Sequence, residues 1–254
     1  MSIQEQILEK LSQIEQQEHV RILHAVESGS RAWGFASPDS DYDVRFIYVR
    51  NRDDYLTLTP PRDVIEYQLD DVFDVNGWDL QKMLKLLHKS NPTIFEWANS
   101  PIVYQTSDYF QHLKPVINSY FSPKTASYHY LNTAKHNYHV YCETEPVRYK
   151  KYFYALRPLL ACYWIFAHQS PPPMLFSDLR LLPEAKQINP LIEKLLEIKT
   201  RTSELGTGEK IPELDDWIQQ NFELVQQKSD ALPNDASPGW TALNTAFLQS
   251  FSQS

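Results

Sequence analysis

Apolar residues recur at Ile3, Ile7, Leu8, Leu11 and Ile14 with Gln and Glu between them, the spacing of an amphipathic helix that buries one stripe. Val20 to Val26 (VRILHAV) is short, apolar and β-branched and is followed by Gly29-Ser30, which predicts a strand running into a turn. Tyr42 to Val49 alternates and predicts a second strand. Its Tyr42, Val44, Phe46 and Tyr48 share one face, and Asp41, Asp43 and Arg45 share the other. Val64 to Gln68 and Val72 to Asn76 predict two more strands. A helix follows from about Trp78 to Lys89, with Leu80, Met83, Leu84 and Leu87 as its buried stripe. Asn91-Pro92 opens a further short helix, proline being suited to a first turn. From about residue 107 the strand signals stop, and helices follow one another across breaks at Ser122-Pro123, Ser170 to Pro173 and Ser237-Pro238. Beyond Leu181 the pattern predicts generic helices and an exposed turn near Gly206 to Lys210. The expected fold is α+β: a small mixed sheet with flanking helices over residues 1–106, then an all-helical bundle domain over residues 107–254.

Composition narrows the class. The 254 residues include 42% hydrophobic and 13% aromatic side chains, enough to form a core. No apolar run approaches the roughly 20 residues of a membrane span, and Met1 to Lys10 lacks the basic start and apolar centre of a secretory signal. With Cys142 and Cys162 the only cysteines, a disulfide framework is not expected, and a cytoplasmic, membrane-free setting is. Only 6 residues are glycine, and no stretch matches GxGxxG or GxxxxGK[ST], which disfavours dinucleotide and Walker-type phosphate loops. The net charge of −8 is uneven. Residues 1–119 carry 11 basic and 18 acidic side chains, whereas residues 124–157 gather Lys124, Lys135, Arg148, Lys150, Lys151 and Arg157 against Glu143 and Glu145.

The chemistry concentrates in Ser28 to Arg45, SGSRAWGFASPDSDYDVR. Strand alternation puts Asp41 and Asp43 on one face about 7 Å apart at the backbone. Their oxygens can therefore converge on divalent cations of the kind that take hard oxygen ligands together with phosphates. Paired ions about 4 Å apart stabilise both attacking and leaving oxygens in phosphoryl transfer. Gly29 lets the backbone approach a ligand closely, and the Ser30 hydroxyl, neighbouring main-chain N–H groups and Arg31 are suited to the outer phosphates of a nucleotide. Arg45 shares the face of the two acids.

Gly29-Ser30, ten residues, then Asp41-x-Asp43 resembles the signature of the DNA polymerase beta type nucleotidyltransferase superfamily. The longer run GSRAWG, SDYDVRFIYV, GWDLQKMLKLLHKSNPTIFEW, SPIVY and KKYFYALRPLLA resembles the RNA repair pathway DNA polymerase beta family over most of the first 165 residues. The resemblance implies a nucleotidyltransferase, polymerase beta-like palm domain over 1–106 and a helical domain over 107–254 that closes the nucleotide cleft. It also implies two Mg2+ ions, with Mn2+ able to substitute, and transfer of a nucleoside monophosphate from a nucleoside triphosphate to a hydroxyl, with release of pyrophosphate. An RNA 3′ end is one acceptor it suggests. The superfamily uses a third carboxylate on a neighbouring strand: Asp74, in VFDVN, is the first choice, as catalytic group and as metal ligand beside Asp41 and Asp43. Asp79 competes for that role against one at a helix start. Glu96 is a structural or substrate contact, and Lys151 and Arg157 are the helical half's expected nucleotide contacts. Two alternatives stand beside this reading: a catalytically weak nucleotide-binding or partner-binding, antitoxin-like module, and a transferase acting on a protein or small-molecule hydroxyl.

Overall fold

In the computed structural model the described residues are 2–37, 40–68, 72–201, 207–234 and 238–252, with 68 and 198–201 described by their backbone alone. The chain divides into two compact units: Met1–Ala32, Asp41–Tyr120 and Ser237–Ser254 in the first, Trp33–Ser40 and Phe121–Ala236 in the second.

The first unit is α+β. Helix α1 (Ile3–Glu18) starts at a capping box in which Ser2 and Glu5 satisfy each other's backbone N–H groups. It leads into β1 (Val20–Glu27), a short turn of helix α2 (Gly29–Ala32) and β2 (Tyr42–Arg50). Strands β3 (Val64–Gln68) and β4 (Phe73–Asp79) follow, then helices α3 (Leu80–His88) and α4 (Pro92–Ala98), strand β5 (Val103–Thr106) and helix α5 (Asp108–Ser119). The sheet order is β3-β4-β2-β1-β5. Only the β2–β4 pair is parallel, so the sheet is mixed. As the alternation predicts, Val44, Phe46 and Tyr48 are buried, and they form one core with Ile7, Leu11 and Ile14 of α1.

A bulge in β1 between Ile22 and His24 reverses the strand's parity. Ile22 and Ala25 therefore both join the α1-side core, while His24 stacks on Phe110 of α5 at 3.9 Å. The His24 ring also contacts Thr106 Oγ1 (3.1 Å) and the Trp97 carbonyl (3.2 Å).

The boundary expected at 106/107 is corrected. Helix α5 stays with the sheet, because Ser107 both caps it and pairs its N–H with the Leu23 carbonyl at 2.9 Å. The C-terminal α11 (Thr241–Gln249) also returns to this unit. Tyr109 Oη donates to the Ala246 carbonyl (2.7 Å), and Trp240, just before α11, stacks on His88 of α3 at 3.7 Å. The helix expected from Trp78 begins instead at Leu80, since β4 runs on to Asp79.

The second unit is almost wholly helical: α6 (Pro123–Tyr141), α7 (Lys150–His168), α8 (Phe176–Leu179), α9 (Asn189–Arg201) and α10 (Pro212–Ala231). Two short strands, β6 (Val147–Arg148) and β7 (Thr207–Gly208), pair antiparallel and were not expected. Gly206, part of the predicted turn, lies outside the described residues. Segment 33–40 belongs here because Phe35 packs on Phe153 and Phe176, at 5.0 and 5.5 Å. Asp215 of α10 is buried and accepts hydrogen bonds from Tyr138 Oη (2.9 Å) and Tyr152 Oη (3.1 Å), which ties α6, α7 and α10 together. Cys142 and Cys162 are buried free thiols. No helix among the described residues is long and apolar enough to cross a membrane.

Two outcomes follow from this packing. A Cβ at Gly77 would stand 2.1 Å from the Phe46 ring, so Gly77→Ala is expected to cost about 1–3 kcal/mol, measured by thermal denaturation. Burial pushes the His24 pKa down to about 4 from 6.5, the Trp97 carbonyl working against the shift and Lys114 with it. The unfolded chain then takes up that proton first, so the His24 contribution to stability falls as pH drops from 6.5 toward about 4. The His24 ring followed by NMR should show no inflection near 6.5, and a normal titration there would contradict its burial as the neutral form.

Candidate active site

The site grows from the neighbouring strands β1, β2 and β4 at one end of the sheet. In the parallel β2–β4 register Asp43 is the partner of Asp74 and Arg45 of Asn76. Adjacent strands lie about 4.8 Å apart, so the two carboxylates stand side by side. Asp41 is exposed, just before β2. Arg45 reaches back along its own face and bridges the pair: Nη2 contacts Asp43 Oδ1 at 2.9 Å and Asp74 Oδ2 at 2.7 Å, and Nη1 donates to the Asp74 carbonyl at 2.8 Å.

Gly29 is fitted to this arrangement. Its φ of +59° is left-handed, and a Cβ there would lie 2.0 Å from Asp43 Oδ2. The adjoining Ser28 N–H donates to the Asp43 carbonyl at 2.9 Å, which holds the turn onto β2. Ser30 and Arg31 follow in α2. Arg31 Nε donates to the Asp41 carbonyl (3.1 Å), and its guanidinium lies over the Tyr42 ring at 3.7 Å.

Sequence reasoning missed Glu27. It ends β1, is fully buried, and accepts from the Asp43 N–H at 2.8 Å through Oε1 and from Tyr104 Oη through Oε2. A carboxylate directly after the apolar Ala25-Val26 at the end of the strand, next to the Ser28-Gly29 turn, is the signal that could have found it. Burial is the main cause pushing the Glu27 pKa up, and the Tyr104 and Asp43 hydrogen bonds oppose it. Burial also raises Asp43; Arg45 opposes that shift, and the charges of Asp74 and Asp41 add to it.

The competing third carboxylate is corrected. Asp79 lies five residues along β4 from Asp74, about 16 Å at strand rise and on the opposite face. It is buried as the cap of α3, accepting from the Gln81 N–H (2.7 Å) and Tyr55 Oη (2.7 Å). Glu96 is half-buried on α4 and does not belong to the strands that carry the acids. Lys151 and Arg157 belong to the helical unit. Lys151 Nζ sits over the rings of Tyr141 (3.8 Å) and Tyr154 (4.9 Å), and burial with the charges of Lys150 and Arg148 lowers its pKa. Arg157 is buried, its guanidinium 4.6 Å from the centre of the Trp33 ring and donating to the Met174 carbonyl at 3.4 Å.

As donors, Asp41, Asp43 and Asp74 offer the hard carboxylate oxygens that magnesium takes. Among the described residues no three acidic, His or Cys side chains are gathered as a metal site. One carboxylate oxygen each of Asp43 and Asp74 is held by Arg45 instead, so the donor set fits the ion once that guanidinium releases them.

Gly29→Ala is expected to displace the Asp43 carboxylate and to lower stability by about 1 kcal/mol through the left-handed backbone alone. A variant crystal structure and a melting curve test this; an Asp43 side chain in its present place with unchanged melting would contradict it.

Residues 3–249 match the model of the RNA repair pathway DNA polymerase beta family. The chain is 41% identical over 251 residues to the uncharacterized protein YcgL of Bacillus subtilis (strain 168), covering 97% of this chain and 95% of that one. A solved nucleotidyltransferase-like protein from Exiguobacterium sibiricum 255-15 matches with 13% identity and a TM-score of 0.34, over 87% of this chain and 73% of its own. With nearly its whole length matched, the chain belongs to the RNA repair pathway DNA polymerase beta family.

Proposed function

We propose that this protein is a magnesium-dependent nucleotidyltransferase that moves a nucleoside monophosphate from a nucleoside triphosphate to a hydroxyl, the 3′ end of an RNA under repair. The observation that carries the reading is the parallel register of Asp43 with Asp74, with Asp41 two residues ahead and Gly29 leaving room for the Asp43 carboxylate. Family membership supports the class of chemistry and the link to RNA repair.

Asp41, Asp43 and Asp74 would hold Mg2+, or Mn2+ in its place, which supplies charge neutralisation at the triphosphate and at the attacking oxygen. The acceptor hydroxyl oxygen forms a new bond to the α-phosphorus, the bond from that phosphorus to the bridging oxygen breaks, and pyrophosphate leaves. The hydroxyl proton passes to the Asp74 carboxylate, the most exposed of the bridged pair. Arg45, on giving up Asp43 and Asp74, has the triphosphate as its replacement anion. Ser30 and Arg31 are the further contacts for the outer phosphates, and Glu27 holds the Asp43 backbone in place from behind.

The Arg45 bridge favours a second reading, a nucleotide-binding module with weak catalysis, because the guanidinium already satisfies the two acids. The two readings part in one experiment: each labelled nucleoside triphosphate in turn, magnesium and pooled RNA, with the wild type and with Asp41→Asn/Asp43→Asn. Label entering RNA is expected from the wild type, and a loss of about a hundredfold or more in the variant. Equal turnover by the variant would refute the assignment. Triphosphate binding without incorporation would favour the module, or a protein or small-molecule acceptor once those hydroxyls are supplied.

A further inference from the structure

The opposite end of the β1–β2 hairpin carries a cavity of about 500 Å³ with no part in the chemistry above. Its wall includes Arg21, Arg50, Arg52 and His19, with Leu248 and Phe251 supplying apolar surface. No Asp or Glu is among its described lining residues, in a chain whose net charge is −8. At about 3.3 Å per residue, the length of β1 separates this wall from the acids near Glu27 by roughly 20 Å.

Two of the guanidinium groups are held in place by main-chain oxygens. Arg21 Nη2 donates to the Ser250 carbonyl at 2.6 Å, and Arg50 donates to the carbonyls of Glu18 (3.1 Å) and Arg62 (3.3 Å). Arg50 Nε is buried with no hydrogen-bond partner among the described residues. The Glu18 carboxylate is 3.9 Å from Arg50 and 43% exposed, the buried Asp79 carboxylate also interacts with the Arg50 charge, and neither Asp79 nor Asp53 and Asp54 on the turn after Arg52 line the wall. A guanidinium has five N–H donors, so Arg21, with one recorded on the Ser250 carbonyl, keeps capacity for an anion. Arg21 and the exposed Arg52 beside Arg50, with an apolar flank and in a volume within the roughly 300–1,000 Å³ of small-molecule sites, match a phosphate carried on a nucleoside.

We propose that this pocket is a second binding site, for a phosphate group borne by a nucleotide or by an RNA strand. The site is separate from the carboxylates of β2 and β4 and does not depend on the transfer reaction proposed for them. Arg21 and Arg52 are the residues to change. Arg52 is exposed, and Arg21 is half-buried near the start of β1, so their loss leaves the core intact.

The test is calorimetry with inorganic phosphate, adenosine monophosphate and a short RNA lacking terminal phosphates, each titrated into wild type, Arg21→Ala/Arg52→Ala and Asp43→Asn, with melting curves for all three. Binding of at least one probe is expected in wild type and in Asp43→Asn, weakened about tenfold or more in the double variant at unchanged melting temperature. Preference for the monophosphate assigns the site to a terminal phosphate, and binding of the RNA assigns it to the backbone diester. If the double variant melts lower, Arg52→Ala alone must still weaken binding for the proposal to stand. No binding of any probe, equal binding by the folded variant, or loss of all binding in Asp43→Asn would overturn it.

Discussion

The candidate site depends on one pairing, the parallel register of β2 with β4. Within a strand, alternation already sends Asp41, Asp43 and Arg45 to one side. The neighbouring strand then sets Asp74 beside Asp43, so acids far apart in sequence become a pair. Like charges at that spacing repel, and Asp43 is also partly desolvated, so the arrangement needs a cation. Arg45 supplies it from the same strand, with donors on both carboxylates. The same residue thereby sets the condition for divalent binding: an incoming ion competes with a charge already in place.

Two glycines make the strands around β2 compatible with this load. Gly29 yields the space taken by Asp43 Oδ2, and Gly77 yields the space taken by the Phe46 ring. One contact lies on the acidic face of β2 and the other in the core against α1, so the strand is wedged from both sides. Behind it, Glu27 accepts the Asp43 N–H with a carboxylate fully removed from water. A buried acid of this kind is tolerated because its hydrogen bonds offset part of the desolvation cost.

Much of this was legible in the sequence because it depends on local periodicity. The α1 stripe, the β2 alternation, β3 and the Asn91-Pro92 helix start all arise from residues within a few positions of each other. What was not legible depends on partners distant in sequence. The bulge at Ile22/His24 changes which side of β1 faces α1, and nothing in VRILHAV marks it. Strand β5 is short and has Val103 exposed, so it shows no burial pattern. The return of α11 rests on Tyr109 and His88, more than a hundred residues earlier. Asp79 shows the limit at the site itself: Asp74 and Asp79 look alike as acids near a strand, and only the extent of β4 separates a sheet-face carboxylate from a helix cap.

The charge of the first unit is therefore ordered and does not merely sum to an acidic total. Glu27, Asp41, Asp43 and Asp74 gather at one end of the β1–β2–β4 strands, and Arg21, Arg50 and Arg52 at the other. Net charge alone argues against a polyanionic partner, since a uniformly acidic surface repels phosphates. With exposed charges screened over about 8 Å at physiological salt, ends some 20 Å apart act as separate surfaces. An anion approaching the arginine end meets a cavity wall that carries arginines and no carboxylate among its described residues. At the acidic end the same anion has to be admitted by cations, whether the guanidinium of Arg45 or a divalent ion. The distribution of charge along two strands, more than its sum, thus sets where this protein can accept a phosphate.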